Sequence, residues 1–81
     1  MENRIAVLGI VLDKPEMSQS VNAILHEYSD VIIGRMGIPY REKKVSVISV
    51  AVDTDTDKIS ALTGKLGKLD GVNVKAAISK K

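Results

Sequence analysis

A two-layer α+β architecture, with one four-stranded sheet carrying two helices on a single face, is what this sequence predicts. Three observations lead there. Dense aliphatic and β-branched segments recur four times along the 81 residues. Two stretches between them carry apolar residues at helical rather than strand spacing. The elements alternate in the order β-α-β-β-α-β, which is the pattern of two crossover units sharing one sheet.

The first strand is Arg4 to Leu12, RIAVLGIVL, and its nearly unbroken apolar run suggests a central strand covered on both faces. Asp13-Lys14-Pro15-Glu16 then reads as a helix start. Asp13 is placed to cap exposed amides, Pro15 suits the first turn and Glu16 complements the dipole. Met17, Val21, Ile24, Leu25 and Tyr28 follow as one apolar stripe. The second strand begins at Asp30 and runs through Val31-Ile32-Ile33 into Gly34-Arg35-Met36-Gly37-Ile38-Pro39-Tyr40-Arg41. A plain edge strand would not use that mixture, since glycine weakens a strand and proline removes a ladder donor. The block is therefore expected to serve a bend, or close approach of a ligand or second subunit.

Lys44 to Val52 is the third strand, rich in β-branched residues. The second helix is expected to start near Asp53-Thr54-Asp55, three capping candidates in a row, and to bury Ile59, Leu62, Leu66 and Leu69. Asp70-Gly71 is a turn signal, and Val72 to Ile78 is the last strand.

This order predicts a single ferredoxin-like, split-βαβ sandwich over residues 1–81: an antiparallel four-stranded sheet in the order 4-1-3-2, with both helices on one face. The first and third strands are expected at the centre, running parallel. Both alternating sets of the first strand are apolar or small, Ile5, Val7, Gly9, Val11 against Ala6, Leu8, Ile10, Leu12. A sheet face left open with such residues predicts a partner surface, and self-association into a homodimer or homotetramer is the expected cover. The bland alternative is that its small side chains tolerate water. Ser60, Gly64 and Gly67 fall on one side of the second helix, opposite its leucines, and form a small-residue strip suited to an oligomer contact. An early helix end near Gly64 is the alternative, because interior glycine costs about 1 kcal/mol. Lys58, Lys65 and Lys68 read as solvated.

Composition removes several functions. With no cysteine there is no thiolate metal site, disulfide or cysteine nucleophile, a usage that fits a reducing cytoplasm. No leader and no membrane-length apolar run is read, so a cytoplasmic location without membrane contact is expected. A net charge of +2 with dispersed basic residues, and no aromatic on the first or third strand, argue against direct nucleic-acid binding. The first loop, with its two carboxylates, is unsuited to cradling phosphate. His26 lies opposite the apolar stripe and reads as solvated. Asp53, Asp55 and Asp57 lack the glycine and terminal glutamate of a calcium loop, so they read as helix capping. No acid–base pair, cofactor or metal cluster is expected, and the chain reads as a non-enzymatic binding module.

The residues expected to bind a small anionic metabolite or a partner are Asp13, Lys14, Gly34, Arg35, Met36, Gly37, Tyr40 and Arg41. Arg35 is the expected cation, the two glycines allow close backbone approach, and Tyr40 is an anchor held by Pro39. The plain alternative for the block is a bulged edge strand and hairpin that serves only assembly.

The run VNAILHEYSDVIIGRMGIPYREKKVSVISVAVD, followed by ISALTGKLGKLDGVNVKA, resembles the family of regulators assigned to the iron-only hydrogenase system. Its most specific pieces are His26-Glu27-Tyr28, the Gly34–Arg41 block and Gly64-Lys65-Leu66-Gly67. The family is related to ACT domains and to the C-terminal domains of nickel regulators. The resemblance implies an ACT-like, oligomeric regulatory module, with a hydrogenase-maturation or transcription protein as possible partner. It supplies no catalytic residue. This chain has Glu16 where an ACT effector loop often has glycine, which disfavours an amino-acid carboxylate there. The alternative function is an interaction subunit that docks a maturation enzyme or transcription factor without any small ligand.

Overall fold

The computed structural model describes residues 2–81. Strand β1 spans Arg4–Leu12, followed by a 3-10 turn at Pro15–Met17 and helix α1 at Ser18–Glu27. Strand β2 spans Ile32–Tyr40 and β3 Val45–Thr54, joined by a 3-10 turn at Arg41–Lys43. Helix α2 spans Thr56–Gly67 and β4 Val72–Ile78. The sheet order is β2-β3-β1-β4, the expected ferredoxin-like arrangement.

One expectation is corrected. The central pair β1 and β3 runs antiparallel, with Gly9 opposite Ser49 and Leu12 opposite Ser46. Each crossover makes β1 parallel to β2 and β3 parallel to β4, but neither of those pairs is adjacent. The β2–β3 hairpin reverses the chain, so every neighbouring pair in the sheet is antiparallel.

Only one of the two apolar sets of β1 is core. Ala6, Leu8, Ile10 and Leu12 are fully buried beneath the helices, alongside Val50 and Val52 of β3. Val21 and Leu25 of α1 and Ile59, Leu62 and Leu66 of α2 close that layer. Each of these Val, Leu and Ile side chains contributes about 1.5–3 kcal/mol by leaving water. Met17, Ile24, Tyr28 and Leu69 pack at its margin, completing both predicted stripes.

The helix starts differ from expectation at one end of the chain. Asp13 is not a cap: the 3-10 turn follows Lys14 with no side-chain cap, and α1 follows directly behind Met17. Asp55 does cap α2, its Oδ1 accepting from the Lys58 amide at 2.9 Å. The helix continues through Gly64 to Gly67. Among the described residues no helix is long and apolar enough to cross a membrane.

Candidate functional site

The glycine block is strand throughout. β2 runs to Tyr40 as an edge strand, with an irregularity between Ile32 and Gly34 that leaves Ile33 outside the ladder. The bulge sets which residues face which side. Gly34, Met36, Ile38 and Tyr40 pair opposite Ala51, Ser49, Val47 and Val45, on the face away from the helices. Arg35, Gly37 and Pro39 pair opposite Val50, Ile48 and Ser46, on the helix side. The predicted constellation is therefore divided by the sheet: Arg35 and Met36 point to opposite faces.

Asp13 and Lys14 are removed from it as well. The Asp13 amide donates to the Gly71 carbonyl at 2.7 Å, and its Oδ2 accepts from Asn73 Nδ2 at 3.2 Å. Lys14 forms an ion pair with Asp70, whose carboxyl is held below the ordinary carboxylate range by the hydrogen bond from the Lys14 ammonium. Gly71 sits at φ 74°, and a Cβ there would meet Lys14 Cγ at 2.7 Å. Left-handed backbone and a crowding neighbour both require glycine. The first loop is thus tied to the β4 turn, leaving Pro15 as its contribution to the region near β2.

Two surfaces remain. The first is the open sheet face, where Ile5, Val7, Val11, Val47, Met36 and Ile38 are exposed. Gly9 and Ser49 pair at its middle between Lys75 and Met36, and in the next row Ala77, Ala51 and Gly34 lie in register with exposed Val7. Asp53 on β3 and Lys75 on β4 are its charged members.

The second surface is a groove on the helix side of β2, which α1 does not cover. Beyond Ile32 every residue of β2 is exposed. At the hairpin end of the sheet an apolar hollow of about 370 Å³ lies between Pro15, Pro39, Tyr40 and Val45, rimmed by Arg41 and Lys44; Tyr40 and Val45 pair on the open face, so the hollow spans the end of the sheet rather than one side of it. It adjoins, across Pro39 and Ser46, a more polar recess of about 250 Å³ between α1 and β2. There the Arg35 guanidinium donates to Asn22 Oδ1 at 2.5 Å, linking strand to helix. A Cβ at Gly37 or Gly34 would meet nothing within 4 Å, so both glycines border free space. Lys44 takes the left-handed conformation, φ 56°, to close the hairpin. The Tyr40 hydroxyl donates to Glu42 at 3.1 Å, holding that carboxylate to the hairpin. Asn22 had no signal in the sequence, because the packing of α1 against the sheet brings it to this groove; Pro15 belongs to the first loop that the sequence singled out, and Lys44 follows Arg41 in the same hairpin.

The expected contact strip on α2 has Ser60 and Gly64 exposed, with open space around Gly64. At Gly67 a Cβ would lie 3.6 Å from Val74 of β4, so its neighbour is within the chain. Lys65, expected to be solvated, reaches Glu27 at 3.2 Å and lies 5.2 Å from the Tyr28 ring centroid. Its pKa is raised, chiefly by the hydrogen bond to Glu27 and then by Tyr28.

Residues 4–76 match the TM1266-like family, described as "Iron-only hydrogenase system regulator, putative". The chain belongs to that family. Its fold is that of the uncharacterized protein TM1266 from Thermotoga maritima: TM-score 0.92 and 41% identity, over 98% of this chain and 100% of the other. Curated relatives include a "Putative nickel-responsive regulator" of Saccharolobus solfataricus, 32% identical over 66 residues, 82% of this chain and 49% of that protein. One of the same name from Saccharolobus islandicus strain L.S.2.15 is 29% identical over the same shares. The chain spans about half the length of these curated relatives. Membership in a regulator family implies a non-enzymatic role. Two of the sequence pieces that carry the family resemblance touch in space, since Lys65 of the second helix meets Glu27 and Tyr28 of the first. The third, Gly34–Arg41, borders both unfilled surfaces.

Proposed function

We propose that this chain is a non-enzymatic regulatory module that works as a homo-oligomer, two copies joined through their open sheet faces, and that responds to a small anionic effector. The observation that carries the assembly is the uncovered apolar face centred on Val7, Val11 and Val47. A chain of this size buries only about 60% of its unfolded surface, so association adds to a marginal core. The face is suited to its own copy. Its row of Val11, Val47 and Ile38 lies beside the small pair Gly9 and Ser49, and two sheets pack face to face at about 10 Å when large and small side chains interdigitate. Its charged members, Asp53 and Lys75, are opposite in sign, so like charges need not meet across a twofold axis. The Ser60–Gly64 strip offers far less apolar surface and is assigned at most a secondary contact.

Sedimentation of the wild type against Val11→Asp and Val47→Asp tests this. A dimer or tetramer that falls to monomer in both variants, with the fold intact by circular dichroism, supports the reading; a monomeric wild type overturns it.

A second reading is favoured by one feature. β2 is a nine-residue edge strand with unpaired backbone groups and exposed Ile33, Met36 and Ile38. Such an edge can accept a strand from another protein. In that reading the chain docks a hydrogenase-maturation or transcription partner without a metabolite. Binding that depends on Arg41 and Lys43 and needs no small molecule would favour it.

A further inference from the structure

We infer that the groove on the helix side of β2 is the effector site, and that its ligand is a small amphipathic carboxylate whose charge sits between Arg41 and Lys44 and whose apolar body lies along Pro15, Pro39 and Val45. This rests on the effector-binding part of the proposed function and gives it a place and a chemistry.

Four observations carry the assignment. First, the hollow at about 370 Å³ has the size of a small-molecule site, and it is continuous in its walls with the recess beside it. Second, the walls are charged in one sense only. Arg35, Arg41 and Lys44 line the two compartments and no carboxylate does. Neither Arg41 nor Lys44 has a carboxylate within ion-pair distance among the described residues. The nearest acidic side chain in sequence, Glu42, is engaged by the Tyr40 hydroxyl. Third, the hollow beneath the cations is apolar, which excludes a fully hydrated anion such as sulfate as its natural occupant and calls for a ligand with a hydrocarbon body. Fourth, Gly37 leaves the floor of the polar recess open, where any side chain would protrude into it.

The two ends do different work. Arg41 and Lys44 project from the hairpin and can close on a carboxylate without rearranging the sheet, a charge-assisted contact in a partly apolar setting. Arg35 is already oriented by Asn22, so its remaining donors bound the far end and set the length of ligand that fits. The polar recess lies on the side of the sheet opposite the centre of the proposed dimer face, and the hollow sits at the hairpin end, where Tyr40 and Val45 of the open face join its lining.

The test is an amide-shift titration of the ¹⁵N-labelled full chain with octanoate, with octanol as the uncharged counterpart, and with sedimentation run on the same samples. The expected result is saturable shifts confined to Gly37, Ile38, Tyr40, Arg41, Lys44 and Ser46 for octanoate, and none that saturate for octanol. Gly37→Val fills the recess. Arg41→Gln combined with Lys44→Asn removes the rim charge while Asn keeps the left-handed backbone. Each should weaken octanoate by about tenfold or more. Shifts spread over Val7, Val11 and Ala51, equal responses to octanol, unchanged affinity in both variants, or no response to octanoate would overturn the assignment. A monomeric sample that still gives the localised response would sink the assembly reading and leave this site standing; an oligomer without the response does the reverse.

Discussion

The two faces of β1 make the most instructive contrast in the molecule. Ala6, Leu8 and Leu12 are completely buried, whereas Ile5, Val7 and Val11, one residue away in each case, keep 43, 44 and 38% of their surface. The chemistry of the two sets is nearly the same. What separates them is that both crossovers lay their helices on one side of the sheet, so one set meets Val21, Leu25, Ile59 and Leu62 while the other has only its cross-strand neighbours and no second layer among the described residues. An apolar side chain is core only when another layer arrives to cover it. The contrast teaches that the open face is built like a core lacking its second half.

The sharpest way to test that contrast is to truncate each face in turn. Leu8→Ala on the helix side should cost about 2–5 kcal/mol of unfolding free energy by denaturant titration, through lost burial plus a cavity. Val7→Ala on the open face should cost far less in a dissociated sample and should weaken association instead. Equal losses at the two positions in monomer would show that the open face is covered from within. Next in size is the cap of α2. Asp55→Ala should lower stability by about 1 kcal/mol, since the Lys58 amide loses its acceptor. Asp13→Ala should not act as a cap loss, because Asp13 holds the β4 turn instead.

Smaller and opposite in sign is Gly64→Ala. Its Cβ meets open space inside a helix, so the substitution should stabilise by up to about 1 kcal/mol in thermal melts. If association weakens at the same time, the small-residue strip is part of an interface. The smallest effect is at the Lys14–Asp70 pair, which is solvent-exposed and therefore adds little to stability. Its signature is in titration. Asp70 is lowered, so its contribution is present above the ordinary carboxylate range and is lost as pH falls through the folded value; Lys14 is raised, so its contribution is lost as pH rises through the folded lysine value. In Lys14→Met the Asp70 carboxyl should titrate at higher pH by NMR, with a barely altered melting temperature.

The candidate site was only partly legible. Glycine, proline and arginine at 34–41 drew attention to the right strand, but the bulge after Ile32 decides which of them face the helices, and a single added residue reverses every side chain beyond it. Asp13 and Lys14 read as a ligand loop because a carboxylate before Pro15 looks like a cap. Their partners, Asn73 and Asp70, lie about sixty residues further on and carried no local mark. Lys44 gave no sign of its left-handed turn, since lysine has no preference for it.

By itself the sequence determined the number, type and order of the elements, the apolar stripes of both helices, and the presence of two apolar sets on the central strands. Those are local quantities, carried by periodicity and by residues such as Asp55 and Gly71. Only the tertiary structure decided which set became core and that Pro15, Asn22, Arg35, Arg41 and Lys44 line one groove. Each of those depends on how crossovers and hairpins bring distant segments together, which no window of sequence contains.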